Sequence, residues 1–517
     1  MKRILKITLG LLAGLAAILA AAALAIIVLH SSADLEEPEF TPSPGVAECS
    51  DSLRVWKDNY LRYDRSGLME MRISGSAFER GEAIGKLAPD LLKAQEKAFV
   101  DKLYELVPSE FYRRFLMYFI YIFNRDLGKN VPLEYRREIK AMSEYCSREY
   151  DAYGTPYERQ MQYHSAHDIG HVMQDYMLVG CTSFAVWGDE SVDGEIIAGR
   201  NFDFYMGEDF AGRNIVLVER PDSGYAYVSV TWPGMTGVLS GMNEKGLTVS
   251  INASKLETPK MSATPVSILA KEILQYASDI EEAVSIARAA KTFVSESFLI
   301  CSASDGRAAV IEKTPSEMAV YDPAANDPEC CRVVCANHYQ SDLFRDREEN
   351  LANLRESDSG HRFRRVEELL DSLGKIGPKS AALILRDRRG AGGKDIGMCN
   401  ELSINQLLAM HSVIFKPSSR EIWVSTYPWQ CGEFIRFRLD DILDSPVPPY
   451  HRDSSKDIPE DIFLHSESFR NLLKFKRSSA GIRSAISSGT EIPEDSISDY
   501  IGLNSLYYNA YNLAGDY

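Results

Sequence analysis

A cysteine at the start of a short apolar run is the residue in this sequence best suited to nucleophilic chemistry. Cys181 follows Gly180 and opens the run Cys-Thr-Ser-Phe-Ala-Val-Trp. A second run, which ends in Gly-Arg-Asn-Phe-Asp-Phe, follows a turn signal at residues 193–194. Two strands joined by that turn would place Cys181 beside Arg200 and Asp203. A guanidinium favours thiolate and a carboxylate can hold a partner amine, so the pattern predicts a nucleophile site. The alternative is a buried core cysteine, which is the commoner role of a lone cysteine.

A second polar position stands at the end of a later strand. The pattern predicts a strand over residues 246–251, and Asn252 closes it. A side-chain amide at a strand end can donate to a developing oxyanion, and asparagine in such a place also commonly caps a turn. Asn252 is therefore a candidate site residue with two interpretations.

Three histidines suggest a metal site at first sight. His164, His167 and His171 have spacings of three and four, which place them on one helix face. The pattern HExxH is absent, and three ligands on one helical stripe rarely complete a tetrahedron. We therefore expect a structural or pH-sensitive helix here, and no metal.

Composition excludes some functions and leaves others open. The net charge of −17 over 517 residues argues against a nucleic-acid partner, which would require a basic face. The nine cysteines form no CxxC pair, and the cluster Cys330, Cys331 and Cys335 suits either a disulfide or buried thiols. The sequence has no glycine loop that could cradle a phosphate, and we expect no cofactor.

The elements that must position these residues are strands alternating with paired helices. This order of strands and helices is typical of two sheets packed between helix layers. In such a fold, cleavage of the Gly180–Cys181 bond by the thiol itself would give Cys181 a free α-amine. An α-amine has a pKa near ~8, so nucleophile and base would sit on one residue. The sequence therefore predicts an activating self-cleavage between Gly180 and Cys181.

These motifs resemble those of the N-terminal-nucleophile (Ntn) hydrolases. The chain is most similar to the branch of acid ceramidase, N-acylethanolamine amidase and isopenicillin N acyltransferase. Cholylglycine hydrolase and penicillin V acylase are more distant relatives. The resemblance covers roughly residues 68–440. It rests on Cys181-Thr182-Ser183, on Gly199-Arg200-Asn201-Phe202-Asp203-Phe204, on residues 241–247, on Asn252, on Asn337-His338-Tyr339 and on the segment around Arg362.

The resemblance implies a fold of the α+β class, a four-layer αββα sandwich. It also implies roles for six residues. Cys181 is the nucleophile and, through its amine, the base, while Arg200 and Asp203 orient the amine and the thiol. Asn252 and Asn337 shape the oxyanion hole and hold the amine network. Arg362 supports the site, a role that Arg364 or Arg365 also suits.

The N-terminus carries a long apolar stretch. Residues 7–29 are 23 positions without a charge, and basic residues precede them. A helix of that length crosses a hydrocarbon core of ~30 Å, and it is longer than the apolar core of a cleavable signal peptide. We therefore expect a single-pass membrane protein with a cytoplasmic N-terminus and an extracytoplasmic catalytic domain.

The expected organisation has five parts. They are a transmembrane signal anchor (1–30), a linker (31–54), a mostly helical pro-segment or α-chain (55–180), the Ntn-hydrolase core (181–444) and a C-terminal extension (445–517). Cleavage would leave fragments 1–180 and 181–517, which we expect to stay associated.

The predicted function is that of a membrane-anchored extracytoplasmic amidohydrolase or acyltransferase. It would act on small or lipid-like linear N-acyl amides through an acyl-cysteine intermediate. Two alternatives stay open. One is a lipid-ester hydrolase of the phospholipase B-like kind, and the other is a catalytically silent, membrane-tethered binding protein.

Overall fold

The fold is known from a computed structural model of the chain. It describes Gly14, Leu24 and residues 35–64, 66–165, 168, 180–204, 206–257, 261–445 and 452–517. In these residues, strands form an eleven-stranded and a six-stranded sheet, and helices cover the outer faces of both.

The larger sheet draws strands from both sides of the predicted cleavage point. Its order is β1-β2-β3-β4-β7-β8-β9-β10-β11-β12-β13, and all neighbours are antiparallel except β4 and β7. Its strands are β1 Glu48–Cys49, β2 Leu53–Trp56, β3 Asn59–Tyr63, β4 Met69–Gly75, β7 Ile215–Pro221, β8 Tyr227–Thr231, β9 Ser240–Asn243, β10 Leu247–Ala253, β11 Glu296–Ser302, β12 Arg307–Lys313 and β13 Met318–Tyr321.

The smaller sheet contains the motif around Cys181. Its order is β14-β5-β6-β15-β16-β17, and every neighbouring pair is antiparallel. Its strands are β5 Thr182–Val186, β6 Ile197–Phe202, β14 Arg332–Cys335, β15 His411–Lys416, β16 Glu421–Ser425 and β17 Phe434–Arg438.

The helices lie in residues 77–164, on the outer faces of the sandwich and in the C-terminal extension. Their bounds are α1 Ala77–Leu87, α2 Pro89–Leu106, α3 Glu110–Phe123, α4 Leu127–Asn130, α5 Leu133–Ser143, α6 Pro156–His164, α7 Glu208–Ala211, α8 Val266–Tyr276, α9 Ile280–Ala289, α10 Pro323–Asn326, α11 Glu348–Glu356, α12 Ser359–Leu373, α13 Pro378–Leu385, α14 Leu439–Asp444, α15 Glu467–Ser488, α16 Glu494–Leu503 and α17 Tyr508–Asp516.

Alternation of side chains along the strands produces the layers. Ala185 and Ala198 of the smaller sheet pack between the sheets with Val218 and Val230 of the larger one. Successive side chains of a strand point to opposite faces, so the other face of the smaller sheet, which includes Phe184, packs against α12 and α13.

The outer face of the larger sheet packs against the other helix pair. Ile251 and Ile300 lie in one cluster with Leu269 and Ile273 of α8. The layers are therefore helices, sheet, sheet and helices, which is the α+β sandwich that the resemblance implies.

The segment before residue 165 is built into this sandwich. Strand β4 pairs in parallel with β7 through seven residue pairs, from Met69 with Ile215 to Gly75 with Pro221. Gly81 of α1 lies so close to α5 that a Cβ there would sit 2.0 Å from the carbonyl oxygen of Glu138. Only glycine allows that approach.

Four buried charges join the same segment to the core. Arg80 of α1 contacts Glu138 of α5 at 2.9 Å and Glu219 of β7 at 2.8 Å. Lys271 of α8 contacts the same two carboxylates, at 2.7 and 3.1 Å. All four side chains are buried and the cluster is neutral, so each charge depends on its partners.

None of the helices in the described residues is suited to crossing a membrane. The longest helix, α15, spans 22 residues but carries Arg470, Lys474 and Lys476. Helix α3 is rich in apolar residues but has only 14 residues, which is too short to cross a bilayer. Against the expectation of a transmembrane helix before the catalytic fold, and of the single-pass membrane localisation that depends on it, the described part of the chain contains no helix of that kind. Residues 7–29, on which both rest, lie outside the described part apart from Gly14 and Leu24.

Loss of one buried charge should destabilise the fold strongly. Lys271→Met leaves Glu138 and Glu219 with one cation between them. We expect a loss of ~3–5 kcal/mol in the free energy of unfolding, measured with urea. Lys97→Met is the control, because Lys97 pairs with Asp101 on the surface and should contribute under ~1 kcal/mol. Equal losses in the two variants would contradict a special role for the buried cluster.

Candidate active site

The hairpin of β5 and β6 brings Cys181 and Arg200 together. Ser183 pairs with Arg200 across the two strands, and Cys181 immediately precedes β5. Arg200 Nη2 donates to Cys181 Sγ at 3.5 Å, and both side chains are buried. The predicted contact between the thiol and the guanidinium is therefore present.

Asn337 and Arg362 hold the backbone of Cys181. The Cys181 amide donates to Asn337 Oδ1 at 3.1 Å, and Arg362 Nη1 donates to the Cys181 carbonyl oxygen at 2.5 Å. Arg362 Nη2 also donates to Asn337 Oδ1 at 2.6 Å. Arg365 instead pairs with Asp387, 2.9 Å away, and Arg364 contacts Gly360 and His361, so Arg362 alone of the three reaches the cysteine.

Asp203 lies beside the bond that is predicted to be cleaved. The Gly180 amide donates to the Asp203 carbonyl oxygen at 3.0 Å, and Gln406 Nε2 donates to Asp203 Oδ2 at 3.2 Å. Oδ1 has no hydrogen-bond partner among the described residues. Burial raises the pKa of this carboxyl to about 8, against the opposing effect of Arg362 and Arg200. A carboxyl with that pKa can accept or release a proton near neutral pH.

Burial also governs the thiol. It raises the pKa of Cys181 to about 11, although Arg200 acts in the opposite direction. The sequence correctly predicts the direction in which the guanidinium acts, but burial is the larger effect because it penalises the charged thiolate. In the intact chain Cys181 is therefore a protonated thiol at neutral pH.

Asn252 is engaged with backbone and side-chain groups on β14 and β5. Its Nδ2 donates to the carbonyl oxygens of Cys335 and Ala336 at 3.0 and 3.2 Å. Its Oδ1 accepts the Ser183 hydroxyl at 3.0 Å. Through these bonds Asn252 holds the end of β14 in place, and Asn337 lies two residues after that end. Its part in an oxyanion hole stays a prediction.

Two residues that the sequence analysis missed hold Arg200. Its Nη1 donates to the Ser240 hydroxyl, which donates to Nε2 of His411 at 2.9 Å. Arg200 also donates to the carbonyl oxygen of Ile251 and lies over the ring of Phe202, 4.5 Å from its centroid. Burial, together with Arg200, lowers the pKa of His411 well below its ordinary value, so the imidazole is neutral. No sequence motif marks this pair, because 171 residues separate its members.

Of the three histidines, His164 is described, while His167 and His171 lie outside the described residues. Its Nδ1 donates to the carbonyl oxygen of Gln160 at 2.7 Å, and its Nε2 accepts the Thr236 amide at 3.0 Å. Burial lowers its pKa to about 4, so it is neutral and structural. In the described part of the chain we find no cluster of histidine, cysteine and acidic residues that could hold a metal. All nine cysteines, including Cys330, Cys331 and Cys335, are free thiols.

Stacked aromatic side chains lie between the site and a neighbouring pocket. The Trp232 ring is stacked on Phe202 and on Phe204, with 6.3 Å between centroids in each case. Trp187, at the end of the run that Cys181 opens, packs between the two sheets. Phe204 and Trp232 line a pocket with helices α2 and α6.

Sequence comparison relates the core to a known family. Residues 190–426 match the acyl-coenzyme A:6-aminopenicillanic acid acyl-transferase family. These residues are Ntn-hydrolase-like. The resemblance that the sequence predicts is thereby confirmed, and this Ntn-hydrolase-like region is related to amidohydrolases and acyltransferases. The match begins after Cys181, so it does not test that residue as the nucleophile.

A curated relative and several solved structures are also similar. An uncharacterized protein of Archaeoglobus fulgidus is 24% identical over 314 residues, which are 53% of this chain and 50% of the relative. The chain thus spans about half the length of that relative. The Caenorhabditis elegans ortholog of N-acylethanolamine-hydrolyzing acid amidase is 19% identical, with a TM-score of 0.32, over 46% of this chain and 93% of that one.

Two bacterial enzymes show a comparable likeness to the Ntn-hydrolase-like region. A mutant form of conjugated bile acid hydrolase from Clostridium perfringens is 15% identical, with a TM-score of 0.32, over 53% of this chain and 96% of that one. Penicillin V acylase from Agrobacterium tumefaciens is 15% identical, with a TM-score of 0.32, over 48% of this chain and 83% of that one. These TM-scores are too low to carry an argument about the site.

Replacing Asp203 by Asn tests the burial of its carboxyl. Native Asp203 keeps its proton up to a pKa of about 8, whereas the unfolded chain releases it near the ordinary value of ~4. The protonated carboxyl therefore contributes its whole stabilising free energy below pH ~4, the pKa in the unfolded chain. This contribution is lost as the pH rises from there through the native pKa of about 8. We expect wild-type stability to fall, relative to Asp203→Asn, by up to ~1.4 kcal/mol per pH unit in this window, measured by urea unfolding.

Asp209→Asn is the control for this experiment, because it removes a carboxyl that is exposed. Parallel pH profiles for the wild type and Asp203→Asn would show that the buried carboxyl does not titrate as described.

Proposed function

We propose that the protein is an amidohydrolase or acyltransferase that acts on small linear N-acyl amides through an acyl-Cys181 intermediate, and that cleavage of Gly180–Cys181 activates it. The observation that carries this proposal is the set of contacts to Cys181. Asn337 accepts from its nitrogen, Arg362 donates to its oxygen and Arg200 donates to its sulfur. A cysteine that only fills core space needs no such set of polar partners.

The proposed cleavage begins with attack of the Cys181 thiol on the Gly180 carbonyl carbon. Asp203 is the candidate base in its ionised form, because Oδ1 is unpaired and can take the thiol proton. Since its pKa is about 8, the ionised share grows as the pH rises towards that value. Collapse of the tetrahedral intermediate breaks the bond to the Cys181 nitrogen, which takes a proton and becomes an amine. Water then hydrolyses the thioester, which frees the thiol and leaves a carboxylate on Gly180.

Cleavage would change which group activates the thiol. The intact chain holds a protonated thiol and an amide nitrogen, which cannot act as a base. The freed α-amine has a reference pKa near ~8 and stands on the same residue as the nucleophile. Asn337 Oδ1 would accept one amine hydrogen and leave the nitrogen lone pair for the thiol proton.

The acyl-transfer step needs donors for the developing oxyanion. Asn337 Nδ2 donates to the carbonyl oxygen of Ala253 at 2.7 Å, and Asn252 donates to two carbonyls of the β14 end. We propose that one of these amides exchanges its backbone acceptor for the substrate oxygen. Loss of one oxyanion donor typically costs ~3 kcal/mol in the barrier.

The fragments would stay together after cleavage. Strand β4 lies inside the larger sheet beside β7, and the buried cluster of Arg80, Glu138, Glu219 and Lys271 crosses the same boundary. Separation of the two fragments would expose the edge of β7 and leave buried charges unpaired. Strand pairing and the buried ion pairs therefore both oppose dissociation of the fragments.

Mass spectrometry of the purified full-length chain tests the activation step. We expect a fragment that begins at Cys181, and none in Cys181→Ala, because the thiol performs the cleavage. Cys301→Ala is the matched control, since it removes a buried cysteine of β11 away from the site and should leave cleavage intact. An uncut wild-type chain that still turns over an amide would overturn the activation proposal.

A substrate panel tests the reaction. We expect release of amine from N-acyl amides, with an acyl group on Cys181 when the reaction is quenched early. Arg200→Lys should lower kcat/KM by ~100-fold, because lysine cannot contact the thiol, Ser240 and the Ile251 carbonyl together. Faster turnover of lipid esters than of matched amides would favour the lipid-ester alternative, and absence of both activities would favour a binding protein.

A further inference from the structure

The pocket next to the site combines aromatic walls with buried acceptors. It lies between α2 and α6 on one side and the loop after β8 on the other. Four aromatic side chains among its lining residues are Phe99, Phe204, Phe210 and Trp232. Phe99 and Trp232 are only partly buried, so this side of the pocket reaches solvent.

Two acceptor atoms on the pocket wall lack partners among the described residues. Glu96 Oε1 accepts from Arg159 Nε at 2.9 Å and from the Tyr163 hydroxyl at 3.2 Å, while Oε2 accepts from neither. Gln95 Nε2 donates to the carbonyl oxygen of Phe210 at 3.2 Å, which leaves Gln95 Oε1 unpaired. Gln95 and Glu96 are 3% and 4% exposed. Buried acceptors of this kind cost stability until a donor reaches them.

The charges around the pocket favour a cation. Arg159 contacts both Glu96 and Asp151 at 2.9 Å, and Asp151 also faces Arg148 at 3.8 Å, so the guanidinium of Arg159 is shared between two carboxylates. Arg159 also donates to the carbonyl oxygens of Gly154 and Ser147, so four of its five N–H hydrogens are engaged. His164, on the same wall, is neutral because burial lowers its pKa to about 4. Aromatic faces attract cations further.

We propose that this pocket binds an organic ammonium group with an apolar or aromatic body. The body packs against Phe204, Phe210 and Trp232, and the ammonium hydrogens are donated to Glu96 Oε2 and Gln95 Oε1. A carboxylate ligand would face the carboxylate of Glu96 and the unpaired acceptor of Gln95, to which it has no hydrogen to donate. An uncharged alcohol would satisfy an acceptor but gain nothing from the charge of Glu96.

A run of aromatic side chains links the pocket to the proposed active site. Phe204 follows Asp203 directly, Trp232 stacks on both Phe204 and Phe202, and Arg200 lies over Phe202. The pocket therefore selects amide substrates that carry a positive charge on one end. This selectivity rests on the proposed amidase function, whereas the binding of the ammonium group itself does not.

The binding experiment uses the full-length Cys181→Ala chain, so its result does not depend on cleavage or catalysis. Three ligands of similar shape are compared by titration calorimetry: phenethylammonium, 2-phenylethanol and phenylacetate. We expect phenethylammonium to bind at least ~10-fold more tightly than the alcohol, and phenylacetate to bind most weakly. Equal or tighter binding of phenylacetate overturns the proposal.

Substitutions in the same chain locate the effect. Glu96→Gln keeps the shape and an acceptor for Arg159 but removes the charge, so the preference for phenethylammonium over the alcohol should fall by ~10-fold. Glu105→Gln on the same helix is the control, because Glu105 is 64% exposed and pairs with Lys102. Gln95→Met removes the second acceptor without touching Arg159 and should weaken phenethylammonium binding even if Glu96→Gln fails to fold. Unchanged preference in both pocket variants overturns the assignment.

Discussion

The buried guanidinium of Arg362 is the contact on which the site depends. It joins the carbonyl oxygen of Cys181 to the side chain of Asn337, and it donates to Thr182 and Asp358 as well. Arg362 belongs to α12, Asn337 follows β14, and Cys181 precedes β5. One side chain thus fixes the relative position of a helix, a strand end and the candidate nucleophile. A planar fork with five donors suits that task, and lysine does not.

Burial and charge oppose each other at Cys181, and burial is the stronger. The same low-dielectric surrounding raises the pKa of the thiol, raises that of Asp203 and lowers that of His411. All three groups therefore favour their neutral forms. In the intact chain the thiol is therefore protonated and Asp203 is only partly ionised at neutral pH, whereas a freed α-amine would place a base with a pKa near ~8 on Cys181 itself.

The hairpin and its contacts could be predicted from the sequence, because they are local. A strand, a turn and a second strand set the distance between Cys181 and Arg200. Ser240 and His411 could not be predicted, because their contact with Arg200 is set by packing between two sheets. The number of strands in the larger sheet could not be predicted either, because one of its pairings joins segments that are distant in the sequence. Residues 69–75 pair with β7 in parallel across more than 140 residues, and no local pattern signals such a partner.

The contacts to Cys181 also determine when its bond can react during synthesis. Arg362 lies 181 residues after the cysteine, and Asn337 lies 156 residues after it. A chain that is still being translated holds the Gly180–Cys181 bond without these partners. Long-range contacts of this kind form only after their last member has been made. The order of residues along the chain therefore delays the proposed cleavage until at least residue 362 has been made.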